Sequence, residues 1–177
     1  MLNLREEVAR LRGENLRLSA LAYRDPLTGV RNRRCFSERL HEELCRLRRN
    51  PCGAVALLVV DLNDFKRLND TRGHATGDAA LMAVAAYLEQ SVRAEDMVCR
   101  LGGDEFAILL PGANLGAAEI VAARLRQHAR VLELGPRPLA IGAAAWTNGD
   151  DAASLLDCAD AGMYADKPAT MARSNAA

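Results

Sequence analysis

Polar and apolar positions change their period several times along the chain, and each change marks an element. Residues 1–22 repeat every seven: Leu4, Leu11 and Leu18 fall on one heptad position, with Met1, Val8, Asn15 and Ala22 on the matching one. Leucine at d, with a β-branched valine and a single asparagine at a, is the preference of a parallel two-stranded coiled coil. Gly13 lies at the outward f position, where it weakens the helix without entering the seam. Three heptads are short for a helix standing alone. The pattern is therefore either a dimer seam or an amphipathic helix lying on its own domain.

The turn-rich stretch from Arg24 to Gly29 breaks this helix, and helical spacing resumes to about residue 48 before Asn50-Pro51-Cys52-Gly53. Ala54 to Asp61 is an unbroken apolar run closed by a carboxylate, the pattern of a strand buried on both faces. Helical spacing over 74–92 rests on Ala80, Met82, Ala83, Ala86 and Leu88. Asp96–Arg100 and Glu105–Leu110 are expected strands around Leu101-Gly102-Gly103-Asp104, whose paired glycines suit a hairpin. An alanine-rich helix over 113–130, a strand over 137–147 and a helix over 151–167 complete the order, with Pro168 as the stop. Helices alternating with strands around one hairpin predict an α+β, ferredoxin-like sheet with flanking helices, preceded by the coiled-coil helix. The expected division is a leader at 1–23 and a domain at 24–177.

Composition narrows the classes. The 177 residues are half hydrophobic and carry 23 basic against 23 acidic residues, enough for a core and without the basic excess of a nucleic-acid binder. No apolar run approaches the ~20 residues of a membrane helix, and no signal-peptide pattern opens the chain. Cys35, Cys45, Cys52, Cys99 and Cys158 are odd in number and lack a CxxC pair, so reduced, mostly buried thiols in a cytoplasmic protein are expected. Only two of the basic residues are lysines, Lys66 and Lys167. Either genomic composition left two survivors, or arginine would not serve at those two positions.

Two acids stand out by place. Asp61 closes the buried strand and Asp104 sits on the hairpin, and a ferredoxin-like sheet makes these neighbours at one edge. Such a pair is either a hairpin acid in solvent beside a capping Asp, or an oxygen site for divalent ions that activate a phosphate. The loop that follows, Asp61 to Asp70, leads into Gly73-His74-Ala75-Thr76-Gly77-Asp78. A strand-to-helix loop offers backbone N–H groups to phosphates. Lys66 can neutralise a phosphate tail, and Asn69 with Asp78 can match the donor and acceptor edge of guanine.

Together these residues make the sequence resemble the GGDEF family of diguanylate cyclases, over roughly residues 24–167. The name motif stands intact as Gly102-Gly103-Asp104-Glu105-Phe106 after Arg100-Leu101. Asp25-Pro26-Leu27-Thr28-Gly29 with Asn32-Arg33-Arg34 is similar to the family's opening motif, and Asp61–Asp70 with Gly73–Leu81 to its nucleotide loop and helix. The resemblance implies a sheet of the nucleotidyl cyclase and polymerase palm kind. It implies Mg²⁺ (or Mn²⁺) held by Asp61, the Leu62 carbonyl, Asp104 and Glu105, with Asp104 as base and Glu105 and Lys66 as catalytic support. GTP would be bound by Phe65, Lys66, Asn69, His74, Asp78, Gly102, Gly103 and Lys167. Both lysines thus fall on phosphate positions, where a compact ammonium acts as a point charge. The sequence departs from the family after Lys167: Pro168 replaces the usual glycine, Met171 stands where an arginine is usual, and the nearest cation is Arg173. Ala140-Ile141-Gly142 stands where Ser-Ile-Gly is more frequent.

The implied activity is condensation of two GTP into cyclic di-GMP and two pyrophosphates across a homodimer joined by the N-terminal helix. An Arg93-x-x-Asp96 pair, six residues before Gly102, is as a bare motif a surface salt bridge. At this offset the family places an inhibitory product site, where arginine can fork onto a guanine edge. Two readings remain beside the active cyclase: a degenerate domain that binds GTP or cyclic di-GMP without catalysis, and an interaction module whose working part is the heptad helix.

Overall fold

The computed structural model describes residues 4–50 and 52–168, and of the first helix the side chains of 4–14 and 22–23. Met1, Pro51, Met171, Arg173 and the side chains of Asn15 and Leu18 lie outside the described residues. The elements run α1 (Leu4–Tyr23), β1 (Arg31–Asn32), α2 (Arg33–Arg49), β2 (Val55–Leu62), α3 (Phe65–Arg72), α4 (His74–Ser91), β3 (Met97–Gly102), β4 (Glu105–Pro111), α5 (Leu115–His128), β5 (Leu139–Ala145) and α6 (Ala152–Asp166). A 3₁₀ turn at Ala129–Leu132 follows α5.

One strand organises the rest. All eight residues of β2 are buried, and they alternate between two cores. Ala56, Leu58, Val60 and Leu62 join Leu81, Val84 and Leu88 of α4 and Leu125 of α5 around Phe106. Val55, Leu57 and Val59 join Leu40 and Leu44 of α2 and Leu155 and Met163 of α6 around Phe36. Period-two alternation with both faces apolar is what a strand between two helix layers requires.

The sheet order β1-β3-β4-β2-β5 is the ferredoxin-like arrangement, with the two-residue β1 added beside β3. β2 runs antiparallel to β4 and β5, and the register sets Asp61 opposite Glu105 on one side and Ala140 on the other. Helix starts carry side-chain caps: Asn32 accepts from Cys35 N at 3.0 Å and Asn114 from Ala117 N at 2.9 Å. Asp151 and Ser154 close a reciprocal capping box on α6.

Three expectations change. The strand-end loop contains α3, a helix with no buried residue, and so without the apolar period that marks a helix in sequence. β1 lies just past the expected turn, where helical spacing is expected to resume, and exists because Arg31 and Asn32 pair with Cys99 and Arg100. Of the five free thiols only Cys99 is buried; Cys35 and Cys45 are half-buried, and Cys52 and Cys158 are exposed.

β5 and α6 pack at backbone distance. A Cβ at Gly142 would overlap Ala159 O and Met163 N and lie 2.8 Å from Gly162 C. Gly142→Ala is therefore expected to cost about 2–3 kcal/mol, since the helix must move off the strand. Urea denaturation should show a lower midpoint at an unchanged slope. An unchanged midpoint would contradict this packing account.

Candidate functional site

The carboxylates expected at one sheet edge lie at the same end of the sheet, Asp61 opposite Glu105 in the register. β3 and β4 are joined by a two-residue turn, Gly103-Asp104, with Gly102 at φ +151° and Gly103 at φ +52°, angles that favour glycine. Leu62 N donates to Asp104 O at 3.3 Å, which fastens the hairpin tip to the end of β2. Asp61 is buried at this edge: only 6% of it is accessible. Burial pushes its carboxyl above the ordinary range, the Lys167 ammonium pulls it back, and the like charges of Asp104 and Glu105 add to the rise.

Lys167 reaches Asp61 Oδ2 at 3.0 Å. Its delivery is structural. Asp166, the last residue of α6, accepts from Ile141 N of β5 at 2.9 Å and pairs with Arg126 at 2.6 Å and Arg137 at 3.1 Å. Arg126 also donates to the Ile141 carbonyl. These groups cover the outer edge of β5 and fix the end of α6, so the next residue falls beside Asp61.

Every candidate metal donor at this edge is an oxygen: three carboxylates and the Leu62 carbonyl. That set fits a small hard cation such as Mg²⁺ or Mn²⁺. Among the described residues no three His, Cys, Asp or Glu side chains are gathered closely enough to hold an ion. The positive charge beside Asp61 is the Lys167 ammonium.

The nucleotide residues flank this edge on α3 and α4. Asp64 opens α3 in a left-handed conformation, φ +60°, and makes no side-chain cap, leaving the amides of the first turn uncapped by it. Lys66, His74 and Asp78 are exposed, and Asn69 is half-buried. Phe65 packs on the core beneath α3. A cleft of about 520 Å³ opens between α3 and residues 133–135, lined by Leu62, Phe65, Leu68 and Leu134 among others. Asp61, Lys66, Asp78 and Asp104 do not line it, so the candidate site is an open edge beside that cleft.

Arg93 and Asp96 form a tight turn rather than a side-chain pair. Asp96 Oδ2 accepts from Arg93 N at 2.9 Å, and Asp96 N donates to Arg93 O at 3.1 Å. The Arg93 guanidinium is 81% exposed and 4.0 Å from Glu95. It lines a groove with Tyr87, Gln90, Arg124 and His128. Arg124, whose guanidinium donates to Ser91 O at 2.7 Å, was not legible as a site residue. Only the packing of α5 beside the end of α4 brings it to Arg93.

A further network ties the leader to the hairpin. Asp25 Oδ1 accepts from Thr28 N at 2.9 Å, Thr28 Oγ1 at 2.6 Å and Arg100 at 3.1 Å. Arg100 also donates twice to Gly103 O, at 3.0 and 2.7 Å. Asn32 Nδ2 donates to Ala22 O at 3.0 Å and Arg24 O at 3.3 Å. Burial opposes ionisation of Asp25, but Thr28 and Arg100 together hold its carboxyl below the ordinary range.

Comparison with known proteins gives one result. The family described as "Diguanylate cyclase, GGDEF domain" matches residues 22–173. Diguanylate cyclase DgcP of Pseudomonas aeruginosa is 37% identical over 162 residues, covering 88% of this chain and 24% of that protein. Diguanylate cyclase DgcS of Shewanella oneidensis is 35% identical, covering 83% of this chain and 50% of that protein. The chain thus spans about a quarter of the first relative and half of the second. Among solved structures, the coiled coil and GGDEF domain of DgcB from Caulobacter crescentus, in complex with c-di-GMP, superposes with TM-score 0.82 at 27% identity, covering 90% of this chain and 88% of that one. No helix among the described residues is long and apolar enough to cross a membrane.

Removing Arg100 strips Gly103 O of two donors and leaves Asp25, 17% accessible, without its cation. Arg100→Ala is expected to cost about 2–3 kcal/mol, in the range for hydrogen bonds to charged groups. Because the folded carboxyl of Asp25 is depressed, its contribution is present above the ordinary carboxylate range and lost as pH falls through the lower folded value. The stability gap between wild type and Arg100→Ala should therefore narrow on acidification, leaving the part due to the Gly103 carbonyl. A gap that is constant with pH would contradict the ion-pair assignment.

Proposed function

The chain belongs to the GGDEF family of diguanylate cyclases, and from that premise we propose that it condenses two molecules of GTP into cyclic di-GMP. The observation that carries the reading is the β2–β4 register, which sets Asp61 against Glu105 and ties Leu62 to Asp104 at one end of the sheet. We place the boundary at residue 24, with a pairing helix at 1–23 and the catalytic domain from 24 to 177.

In this reading Asn69 and Asp78 hold guanine, His74 and Phe65 border the nucleotide, and the uncapped first turn of α3 with Lys66 receives phosphate. Gly102 and Gly103 let the hairpin backbone approach the nucleotide. Asp104 takes the proton from the ribose 3′-hydroxyl, whose oxygen attacks the α-phosphorus of a second GTP. The bond to the β-phosphate breaks and pyrophosphate leaves; Lys66 steadies the charge gathering on phosphate. Repetition in the opposite direction closes the ring. Asp61, the Leu62 carbonyl, Asp104 and Glu105 would hold Mg²⁺ or Mn²⁺, which when bound polarises the phosphate and acidifies the hydroxyl. Lys167 turns from Asp61 to the phosphates when nucleotide arrives.

The two nucleotides come from two copies. An open edge suits half a site, completed when a second domain faces it. Leu4, Val8 and Leu11 are 77%, 37% and 50% accessible, an apolar stripe at a/d spacing that a second leader helix would cover. The groove of Arg93 and Arg124 supports a product site, since two guanidinium groups can engage guanine edges and phosphate.

The test is conversion of GTP to cyclic di-GMP by the purified chain with Mg²⁺. Asp104→Ala is expected to reduce turnover at least ~10³-fold, the scale of losing a transition-state group, at an unchanged melting temperature. Added cyclic di-GMP should slow the wild type and leave Arg93→Ala unaffected. Near-wild-type turnover in Asp104→Ala would overturn the assignment of the edge.

A further inference from the structure

Gly77 lies in the first turns of α4, and its own backbone does not demand glycine. It is absent from the residues with positive φ, and in an ordinary helical position alanine is the better residue. What lies against it explains the choice. A Cβ at 77 would overlap Asn69 Oδ1, lie 2.9 Å from Asn69 Cγ and 3.3 Å from the Phe65 ring. The Asn69 side-chain amide therefore occupies the volume that a side chain at 77 would fill.

That amide is held at a cost. Asn69 Oδ1 is buried with no hydrogen-bond partner among the described residues. Buried polar atoms are ordinarily paired, and an exception calls for a reason other than stability. α3, which carries Asn69, has no fully buried residue; Phe65 rests on the core, and Asn69 lies against α4 at Gly77. Gly73 N donates to Asn69 O at 2.8 Å and Gly77 N to Gly73 O at 3.3 Å, which joins the two helices at a fixed spacing. Asp78 is the next residue along.

We propose that Gly77 is a positioning residue for base selection: the notch it leaves in α4 seats the Asn69 amide beside Asp78, so that the two groups read one purine edge together. The inference rests on the GTP reading of the site and adds the residue that makes it selective. Sites built from fixed hydrogen-bonding groups discriminate strongly because the wrong ligand leaves those groups unpaired. A methyl group at 77 pushes the amide out of register and weakens guanine recognition, while phosphate contacts at Lys66 stay in place.

The experiment measures binding of GDP and ADP, which carry the two bases without turning over, to wild type, Gly77→Ala, Asn69→Ala and the double variant. Gly77→Ala is expected to bind GDP about tenfold more weakly, one step of ~1.4 kcal/mol, with ADP changed less than twofold. With GTP as substrate its KM should rise while kcat at saturation holds. Asn69→Ala removes the overlapping group, so adding Gly77→Ala to it should leave base preference unchanged and should not lower the melting temperature. The two substitutions are then strongly non-additive. An unchanged GDP-to-ADP preference in Gly77→Ala, or additive effects in the double variant, would overturn the proposal. Wild type that shows no preference for GDP over ADP would instead overturn the GTP reading itself. Should Gly77→Ala fail to fold, the comparison of Asn69→Ala with the double variant still decides: a further loss on adding alanine at 77 contradicts the notch.

Discussion

A strand buried on both faces must end somewhere, and here it ends in a carboxylate. Placing Asp61 at the exit of β2 puts a charge where water scarcely reaches, and a buried charge requires a partner. The fold supplies one from the far end of the chain. Asp166 clamps the end of α6 to β5, and Lys167 then falls within 3.0 Å of Asp61. The β2–β4 register brings Glu105 and Asp104 to the same spot, adding charge of the same sign as Asp61. Without a cation the edge is electrostatically unfavourable. The arrangement is a site prepared for positive charge, with an ammonium in attendance.

A second constraint runs from the leader. Arg100 bonds both to Asp25, at the turn where α1 ends, and to Gly103, in the hairpin that carries Asp104. Asn32 bonds back to Ala22 and Arg24. One side chain thus links the segment just after the leader to the hairpin that carries Asp104. In the proposed dimer the same contacts would set the two hairpins relative to the paired leaders.

Much of this was legible because the signals were local. The apolar run of β2, the proline stop after α6 and the glycine pair of the hairpin each announce their structure within a few residues. The proximity of Asp61 and Asp104 followed from topology alone. What stayed hidden depended on contacts between distant segments. α3 has no buried stripe to betray it, and β1 is a strand only because β3 runs beside it. The depth of Asp61, the turn of Lys167 toward it, and the meeting of Arg93 with Arg124 arise from helix packing that no spacing in sequence encodes. The Gly77 notch is of the same kind: the sequence shows a glycine within a helix, and the structure shows what fills the space.

The account stands on each chain carrying half of a two-nucleotide site that the leader helix pairs. The most direct measurement is specific activity against enzyme concentration for the full chain and for a chain beginning at residue 24. Pairing through the helix raises the effective concentration of the second half-site, up to about the millimolar range for short tethers. The full chain should hold its specific activity on dilution. The shortened chain should fall steeply and recover as concentration rises, with nucleotide binding per domain unchanged. Equal specific activity of the two at every dilution would contradict the account.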